Sequence, residues 1–102
     1  MKYLKKFEKN SPELLDYVII NTSTKNNILK DFINNHIGRV IYVGVINMRV
    51  AYDNIPNNLI NYFYVDTEES FRFSIEMISD VVEFSYNREE LELKLSANKY
   101  NL

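Results

Sequence analysis

Residues 39–53 read RVIYVGVINMRVAYD, a stretch in which apolar side chains recur at every second position. The even-numbered residues from Val40 to Tyr52 fall on one side of this pattern, which is typical of a β-strand with one buried face. Fifteen residues is long for one strand, and Gly44 suits a bend. The stretch therefore predicts either one bent strand or a tight hairpin near Ile46-Asn47.

Four further apolar runs follow this stretch, at residues 59–65, 71–76, 81–86 and 91–95. The clearest is the second, where Phe71, Phe73 and Ile75 alternate with polar residues and are expected to point inward. Turn residues separate the runs, as they do between the strands of an antiparallel sheet. The pattern predicts an antiparallel sheet or a small open barrel of the Sm/SH3-like type, with about five strands.

One or two N-terminal helices are expected to pack on this sheet. Ser11-Pro12-Glu13 has the residue types of a helix N-terminus, and apolar residues follow at helical spacing over 14–19. A second helix is predicted from about Lys25 to His36, ended by Gly38 in a left-handed cap. The predicted fold is α+β, in a single globular domain spanning residues 1–102, with loosely ordered tails at 1–10 and 96–102.

The predicted core combines the inner faces of these helices and strands. Its members are Leu15, Val18, Phe32, Ile33, Val40, Tyr42, Leu59, Phe63, Phe73, Ile75, Val82, Phe84 and Leu93.

Charge is divided unevenly along the chain, whose net charge is −2. Residues 51–102 carry ten acidic and four basic side chains, whereas residues 1–50 carry four acidic and eight basic ones. An acidic surface of this kind speeds encounter with a basic protein and selects for it. We expect the partner-binding acidic face to consist of Asp66, Glu68, Glu69, Glu89, Glu90 and Glu92.

The sequence lacks the usual motifs of catalysis and metal binding. His36 is the single histidine, and the absence of cysteine excludes disulfides, thiolate catalysis and cysteine-based metal sites. Two glycines cannot build a glycine-rich phosphate loop. We therefore expect no enzymatic activity, no cofactor and no metal ion.

Aromatic and basic residues suggest an alternative function. Bases stack on exposed aromatic rings, and lysine or arginine must hold the phosphates. A small-barrel module of this kind would bind nucleic acid or a nucleotide. Its contacts would be Lys5, Lys6, Arg39, Arg49, Tyr62 and Tyr64. The acidic residues near the two tyrosines, among them Asp66 and Glu68, favour core packing of the aromatic residues instead.

Two short segments, Tyr62-Phe63-Tyr64-Val65 and residues 73–78, resemble WYL domains, which are Sm-like barrels of bacterial defence regulators. The resemblance covers less than a fifth of the chain. WYL domains contact their ligand through arginines in the later segment, where this sequence has Ser74 and Met77. The resemblance implies a bent five-stranded barrel and transfers no ligand site.

The leading hypothesis is a small non-enzymatic binding or inhibitor protein that acts by protein–protein contact as a monomer or small homo-oligomer. Its partner is expected to be basic, such as a nucleic-acid-binding protein. The asparagine-rich composition is typical of AT-rich bacterial and phage genomes. Anti-defence inhibitors such as anti-CRISPR proteins, and immunity proteins, are of this small acidic type. The lack of cysteine and of long apolar runs predicts a bacterial cytoplasmic protein with no membrane contact.

Overall fold

A computed structural model describes the backbone of residues 11–100 and the side chains of residues 11–97. The described chain is α+β, with two α-helices and six β-strands in one antiparallel sheet. In chain order the elements are β1 (Tyr17–Ile20), α1 (Asn27–Asn34), β2 (Gly38–Val43), β3 (Asn47–Tyr52), β4 (Tyr64–Val65), β5 (Arg72–Met77), β6 (Val81–Ser85) and α2 (Arg88–Tyr100). Two short 3₁₀ turns lie at Ile60–Tyr62 and Ile78–Asp80.

The sheet has the strand order β4-β5-β3-β2-β1-β6. It is open across the described residues, since β4 and β6 pair on one side only. Residues 39–53 form a hairpin, which is the second of the two predicted alternatives, because β2 and β3 pair antiparallel with Val43 opposite Met48. The tight turn between them is closed by a hydrogen bond from Gly44 N to Asn47 O (2.8 Å).

A bulge in β2 changes which residues of the hairpin are buried. The register with β3 shifts between Val40 and Tyr42, so that Tyr42 lies opposite Arg49. A bulge inserts an unpaired residue and re-aims the side chains that follow it. Val40 is buried as predicted, but Tyr42 is 51% exposed, and its placement in the core was wrong.

The first predicted helix is absent from the described chain, and residues 17–20 form strand β1 instead. Three consecutive β-branched residues, Val18, Ile19 and Ile20, favour extended backbone, and β1 pairs with β2 on one side and β6 on the other. Leu15, predicted as core, is exposed in a turn with φ 70°. The helix-start residues at 11–13 therefore precede a turn, because strand pairing outweighs local capping preference.

The second predicted helix forms, but it is shorter and differently capped. Asn26 is the N-cap, and its side chain accepts hydrogen bonds from Ile28 N and Leu29 N. Gly38 has no positive φ and begins β2, so its assignment as a left-handed cap was wrong. A Cβ atom on Gly38 would lie only 2.8 Å from Tyr52 Cζ. The glycine is required there by close packing of two strands.

The main core lies between α1 and the inner face of the sheet. Most of the predicted core residues are buried: Val18, Phe32, Ile33, Val40, Leu59, Phe63 and Phe73. Ile75, Val82 and Leu93 are exposed, and these predictions were wrong.

The faces of β5 are the reverse of the predicted arrangement. Pairing with β3 places Ser74 opposite Val50, which is fully buried, so that Ser74 and Glu76 face the core. Phe73 and Ile75 lie on the outer face, where Phe73 is nevertheless 7% exposed because neighbouring side chains cover it. Alternation alone gives two possible faces, and only the partner strand selects between them.

Residues 91–95 form part of helix α2 and not the predicted strand. Asn87 caps this helix by accepting a hydrogen bond from Glu89 N (2.9 Å). Leu91 packs against Ile19 and Ile37 on the outer face of the sheet. Helix α2 thus covers the half of this face that β1 and β6 form. The helix runs to Tyr100, through much of the tail predicted at 96–102, while residues 1–10 lie outside the described chain.

Replacing Gly38 with alanine is expected to destabilise the protein by about 1–3 kcal/mol, because the added methyl group overpacks the site against Val50 and Tyr52. Chemical denaturation measures this change. Gly38→Asn is the discriminating control. A left-handed cap would tolerate asparagine better than alanine, whereas steric crowding makes the larger asparagine worse. Higher stability of Gly38→Asn than of Gly38→Ala would contradict the packing explanation.

Candidate functional site

The six acidic residues expected to form one face lie in two separate groups. Asp66, Glu68 and Glu69 lie in the loop between β4 and β5, at one edge of the sheet. The other three are on α2, which packs over β1 and β6 at the opposite edge. Strands β5 and β1 are separated by β3 and β2, which sets the groups on the order of 15 Å apart. The structure therefore brings together three acidic residues at each edge.

Several of these carboxylates also serve the local structure. Asp66 Oδ1 accepts hydrogen bonds from Glu68 N (3.0 Å) and Glu69 N (3.1 Å), which shapes the loop. On α2, Glu90 accepts a hydrogen bond from Ser85, and Glu92 pairs with Arg88 one helical turn away. An exposed ion pair of this type contributes little to stability. Glu68 and Glu69 project from the loop and are exposed.

The half of the outer sheet face that α2 leaves uncovered carries aromatic, aliphatic and arginine side chains. We call it the uncovered face and define it by Tyr42, Arg49, Tyr64, Phe73 and Ile75, from strands β2 to β5. Phe73 is the buried centre of this group, and the other four are exposed. Exposed aromatic and aliphatic residues gathered on one sheet face mark a binding surface more often than scattered ones do.

Ring contacts hold these side chains in place. The guanidinium carbon of Arg49 lies 5.0 Å from the centroid of the Tyr42 ring and 5.4 Å from that of Phe73. Tyr64 stacks on Phe73 with a centroid distance of 5.5 Å. Arg39 of β2 lies over the ring of Tyr17, its pairing partner on β1, at 5.2 Å from the ring centroid. Neither arginine forms an ion pair with a carboxylate among the described residues.

The residues of the alternative nucleic-acid site are therefore brought together in part. Arg39, Arg49 and Tyr64 share the outer face of the sheet. Tyr62 lies in the 3₁₀ turn before β4 and not in a strand with Tyr64. Lys5 and Lys6 fall outside the described residues.

A cavity of about 240 Å³ opens beside β5, close to the uncovered face. We call it the β5-edge cavity. Strand β4 pairs only with Arg72 and Phe73, so the remainder of β5 has no strand on that side within residues 11–100. The residues that line the cavity are Thr22, Ser23, Thr24, Leu29, Ile33, Tyr62, Tyr64, Ser74, Ile75, Glu76 and Met77.

Buried polar groups gather at this cavity. Glu76 is 6% exposed, and its Oε1 accepts a hydrogen bond from Thr22 Oγ1 (2.7 Å). The hydroxyl group of Ser74, which lines the cavity, has no hydrogen-bond partner among the described residues, and neither has that of Tyr52, which is buried outside the cavity lining. Burial raises the pKa of Tyr52, and the negative charge of Glu76 raises it further, so its phenol remains neutral. Unpaired buried hydroxyls are costly and uncommon in folded proteins. Ser74 is therefore a candidate for binding a ligand in this cavity.

The described residues contain no cluster of three side chains suited to a metal ion. His36 stacks on Phe32, and its Nδ1 lies 2.7 Å from the Phe32 carbonyl oxygen, as expected for a structural histidine at a helix end. Neither described helix combines the length and apolar character needed to cross a membrane.

Comparison with known protein families, characterised proteins and solved structures finds no match to this chain. The resemblance to WYL domains therefore rests on the two short segments alone.

Sequence reasoning missed Tyr42, Ser74 and Glu76 as candidate functional residues. Tyr42 was predicted to be core because the bulge in β2 leaves no mark in the sequence. Ser74 and Glu76 were predicted to face water, since alternation cannot identify the buried side of β5. The one signal in the sequence was that β5 carries aromatic and aliphatic residues on one side and hydrogen-bonding residues on the other, so that either side was able to form a binding site.

Truncating Phe73 to alanine is expected to destabilise the protein by about 3 kcal/mol, because its buried ring supports both Tyr64 and Arg49. Thermal and chemical denaturation measure the effect. Tyr64→Ala is the matched control, since it removes the same stack from its exposed side and should cost about 1 kcal/mol or less. Equal losses for the two variants would show that the stack, and not burial of Phe73, is what matters.

Proposed function

We propose that this chain is a small non-enzymatic binding protein that acts by protein–protein contact, and that its contact surface lies at the β4–β5 edge of the sheet. The uncovered face carries this proposal. Helix α2 covers one half of the outer sheet face and leaves the other half exposed, with Tyr42, Arg49 and Tyr64 held in fixed positions.

The composition of the uncovered face supports a protein as its partner. Tyrosine, phenylalanine and arginine are enriched at the centres of protein interfaces, whereas lysine and glutamate are depleted there. Ile75 and Met77 add exposed aliphatic surface on the same side of β5. Side chains that ring contacts already hold lose little conformational entropy when a partner docks on them.

Charge supports a basic partner. The loop with Asp66, Glu68 and Glu69 joins β4 to β5, directly beside the uncovered face, and the buried carboxylate of Glu76 lies further along β5. Strand β5 begins at Arg72, directly after this loop, and Glu76 lies four residues further on, which is roughly 13 Å along the strand. One interface of ordinary size, about 800 Å² on each partner, can therefore include the loop, the uncovered face and the mouth of the cavity.

Within this class, the role we infer is that of an inhibitor encoded by a phage or another mobile element in the bacterial cytoplasm. An acidic loop beside a rigid aromatic surface can occupy the nucleic-acid groove of a basic protein and displace the phosphate backbone. The absence of cysteine from the sequence suits a reducing compartment.

A second candidate function is nucleic-acid binding. The observation that favours it is the shared position of Arg39, Arg49 and Tyr64 on the outer face, where bases could stack and phosphates could be held. The aliphatic residues on the same face and the acidic loop at its margin weigh against this function. A gel shift at low salt with single- and double-stranded DNA and RNA distinguishes the two. Binding that Arg39→Glu abolishes and Glu68→Lys leaves unchanged would replace the leading proposal.

Site-specific photo-crosslinking tests the contact surface. Benzoylphenylalanine in place of Tyr42 is expected to cross-link a discrete basic protein in cells of the source organism, because Tyr42 lies on the uncovered face. The same amino acid in place of Tyr86, an exposed residue following β6, is the matched control and should give no such product. The purified partner should bind the wild-type chain, and Arg49→Glu should weaken that binding at least about tenfold. Equal cross-linking from both positions would contradict the proposed surface.

Charge reversal tests which acidic group serves the interface. Glu68→Lys and Glu69→Lys should slow association with the purified partner, and added salt should mimic that effect, because both side chains are exposed beside the uncovered face. Each substitution should change stability by no more than about 0.5 kcal/mol. Glu89→Lys, at the opposite edge, is the control and should leave the association rate unchanged. A larger effect of Glu89→Lys would move the contact surface to α2.

A further inference from the structure

The geometry points to the β5-edge cavity as a recognition pocket for the cationic head of an arginine or lysine side chain from the protein partner. This inference rests on the proposed function, and it assigns the chemistry of one anchoring contact. Four observations support it: an unbalanced buried carboxylate, a hydroxyl without a partner, the size of the cavity, and aromatic rings at its mouth.

The cavity carries negative charge that the protein does not balance. Glu76 lines it, and no lysine, arginine or histidine is among the lining residues. Among the described residues, the Glu76 side chain accepts one hydrogen bond, from Thr22, although a carboxylate has about four acceptor sites. A buried carboxylate is costly unless it is paired, so a bound cation supplies the missing partner.

The hydroxyl oxygen of Ser74 can accept a hydrogen bond from such a cation. Ser74 is 8% exposed, lines the cavity and has no hydrogen-bond partner for its Oγ among the described residues. A guanidinium group carries five N–H donors and an ammonium group three, and neither can accept a hydrogen bond. One N–H can therefore bind Glu76 while another binds Ser74 Oγ. These two residues lie on the same side of β5, two positions apart.

The size of the cavity suits a side-chain head. A volume of about 240 Å³ corresponds to about eight water molecules in the liquid, which is enough for a guanidinium group with part of its aliphatic stem. Leu29 and Ile33 from α1 provide an apolar wall for such a stem. Arginine and lysine commonly bury their methylene groups in this way while their charged heads are paired.

The mouth of the cavity connects it to the uncovered face. Tyr62 and Tyr64 both line the cavity and are each 57% exposed, so their rings are available to a passing cation. Tyr64 also stacks on Phe73 within the uncovered face. A protein seated on that face can therefore place one of its side chains in the cavity.

Nuclear magnetic resonance titration of the full chain with N-acetyl-arginine amide tests the pocket. Saturable shifts are expected at the backbone amides of residues 22–24 and 74–77, with a dissociation constant of about 1 mM or weaker for so small a probe. N-acetyl-citrulline amide is a neutral probe of nearly the same shape and should bind at least about tenfold more weakly. Equal binding of the two probes, or no saturable shift at these amides, would overturn the assignment without any variant being needed.

Glu76→Gln then connects the pocket to the partner. Glutamine keeps an oxygen that can accept the Thr22 hydrogen bond, so the fold is expected to persist, while affinity for the arginine probe falls at least about tenfold. Glu89→Gln removes an exposed carboxylate at the opposite edge of the sheet and is the matched control, with no effect on probe binding. Affinity for the cross-linked partner should fall in parallel with probe binding. If the probe binds and no protein partner exists, the proposed function fails while the cation site remains; if the partner binds Glu76→Gln as well as wild type, the assignment to a partner side chain fails.

Discussion

The pairing of β3 with β2 on one side and β5 on the other is the constraint on which the rest of the structure depends. Strand β3 buries Met48, Val50 and Tyr52 on its inner side and leaves Arg49 on its outer side. Through backbone hydrogen bonds it fixes which side of each neighbour faces the core. The position of every candidate functional residue on β2 and β5 follows from this register.

The register of β5 with β3 buries one side of β5 and places the other on the outer face of the sheet. Opposite Val50 and Met48, Ser74 and Glu76 lie in the interior, where the Ser74 hydroxyl has no partner among the described residues and the Glu76 carboxylate accepts a hydrogen bond from Thr22. Opposite Ala51 and Arg49, Phe73 and Ile75 are placed on the outer face. A polar cavity and an aromatic surface thus lie back to back on one strand.

Helix α2 decides how much of the outer face is available. Leu91 packs on Ile19 and Ile37, which holds the helix over β1 and the neighbouring β6. The outer face from Tyr42 of β2 to Tyr64 of β4 remains uncovered in the described chain, and its side chains contact one another through the rings around Arg49 and Phe73. The position of α2 also places Glu89, Glu90 and Glu92 at the opposite edge of the sheet from the β4–β5 loop. The acidic residues that cluster in the second half of the sequence therefore do not form a single acidic face.

The extended conformation of residues 39–53 could be predicted from the alternation of apolar residues, but the sequence left one bent strand and a hairpin as alternatives, and the pairing of β2 with β3 decides for the hairpin. Helix α1 could be predicted approximately, since Leu29, Phe32 and Ile33 recur at helical spacing. Residues 91–95 could not, because leucines at every second position, next to an Asn87 cap, fit a strand pattern and a helix start equally well.

The sequence by itself determined the α+β class, the extended stretch over residues 39–53, most of the main core and the residue types available for binding. Tertiary structure decided that residues 17–20 pair as a strand, that Tyr42 turns outward after the bulge, and that Glu76 is buried while Ile75 is exposed. The physical reason is that periodicity defines two faces of a segment but not which of them meets a partner. The pairing of distant strands and the packing of α2 decide which face is buried. The residues of the candidate site lie on segments whose buried face was decided in this way.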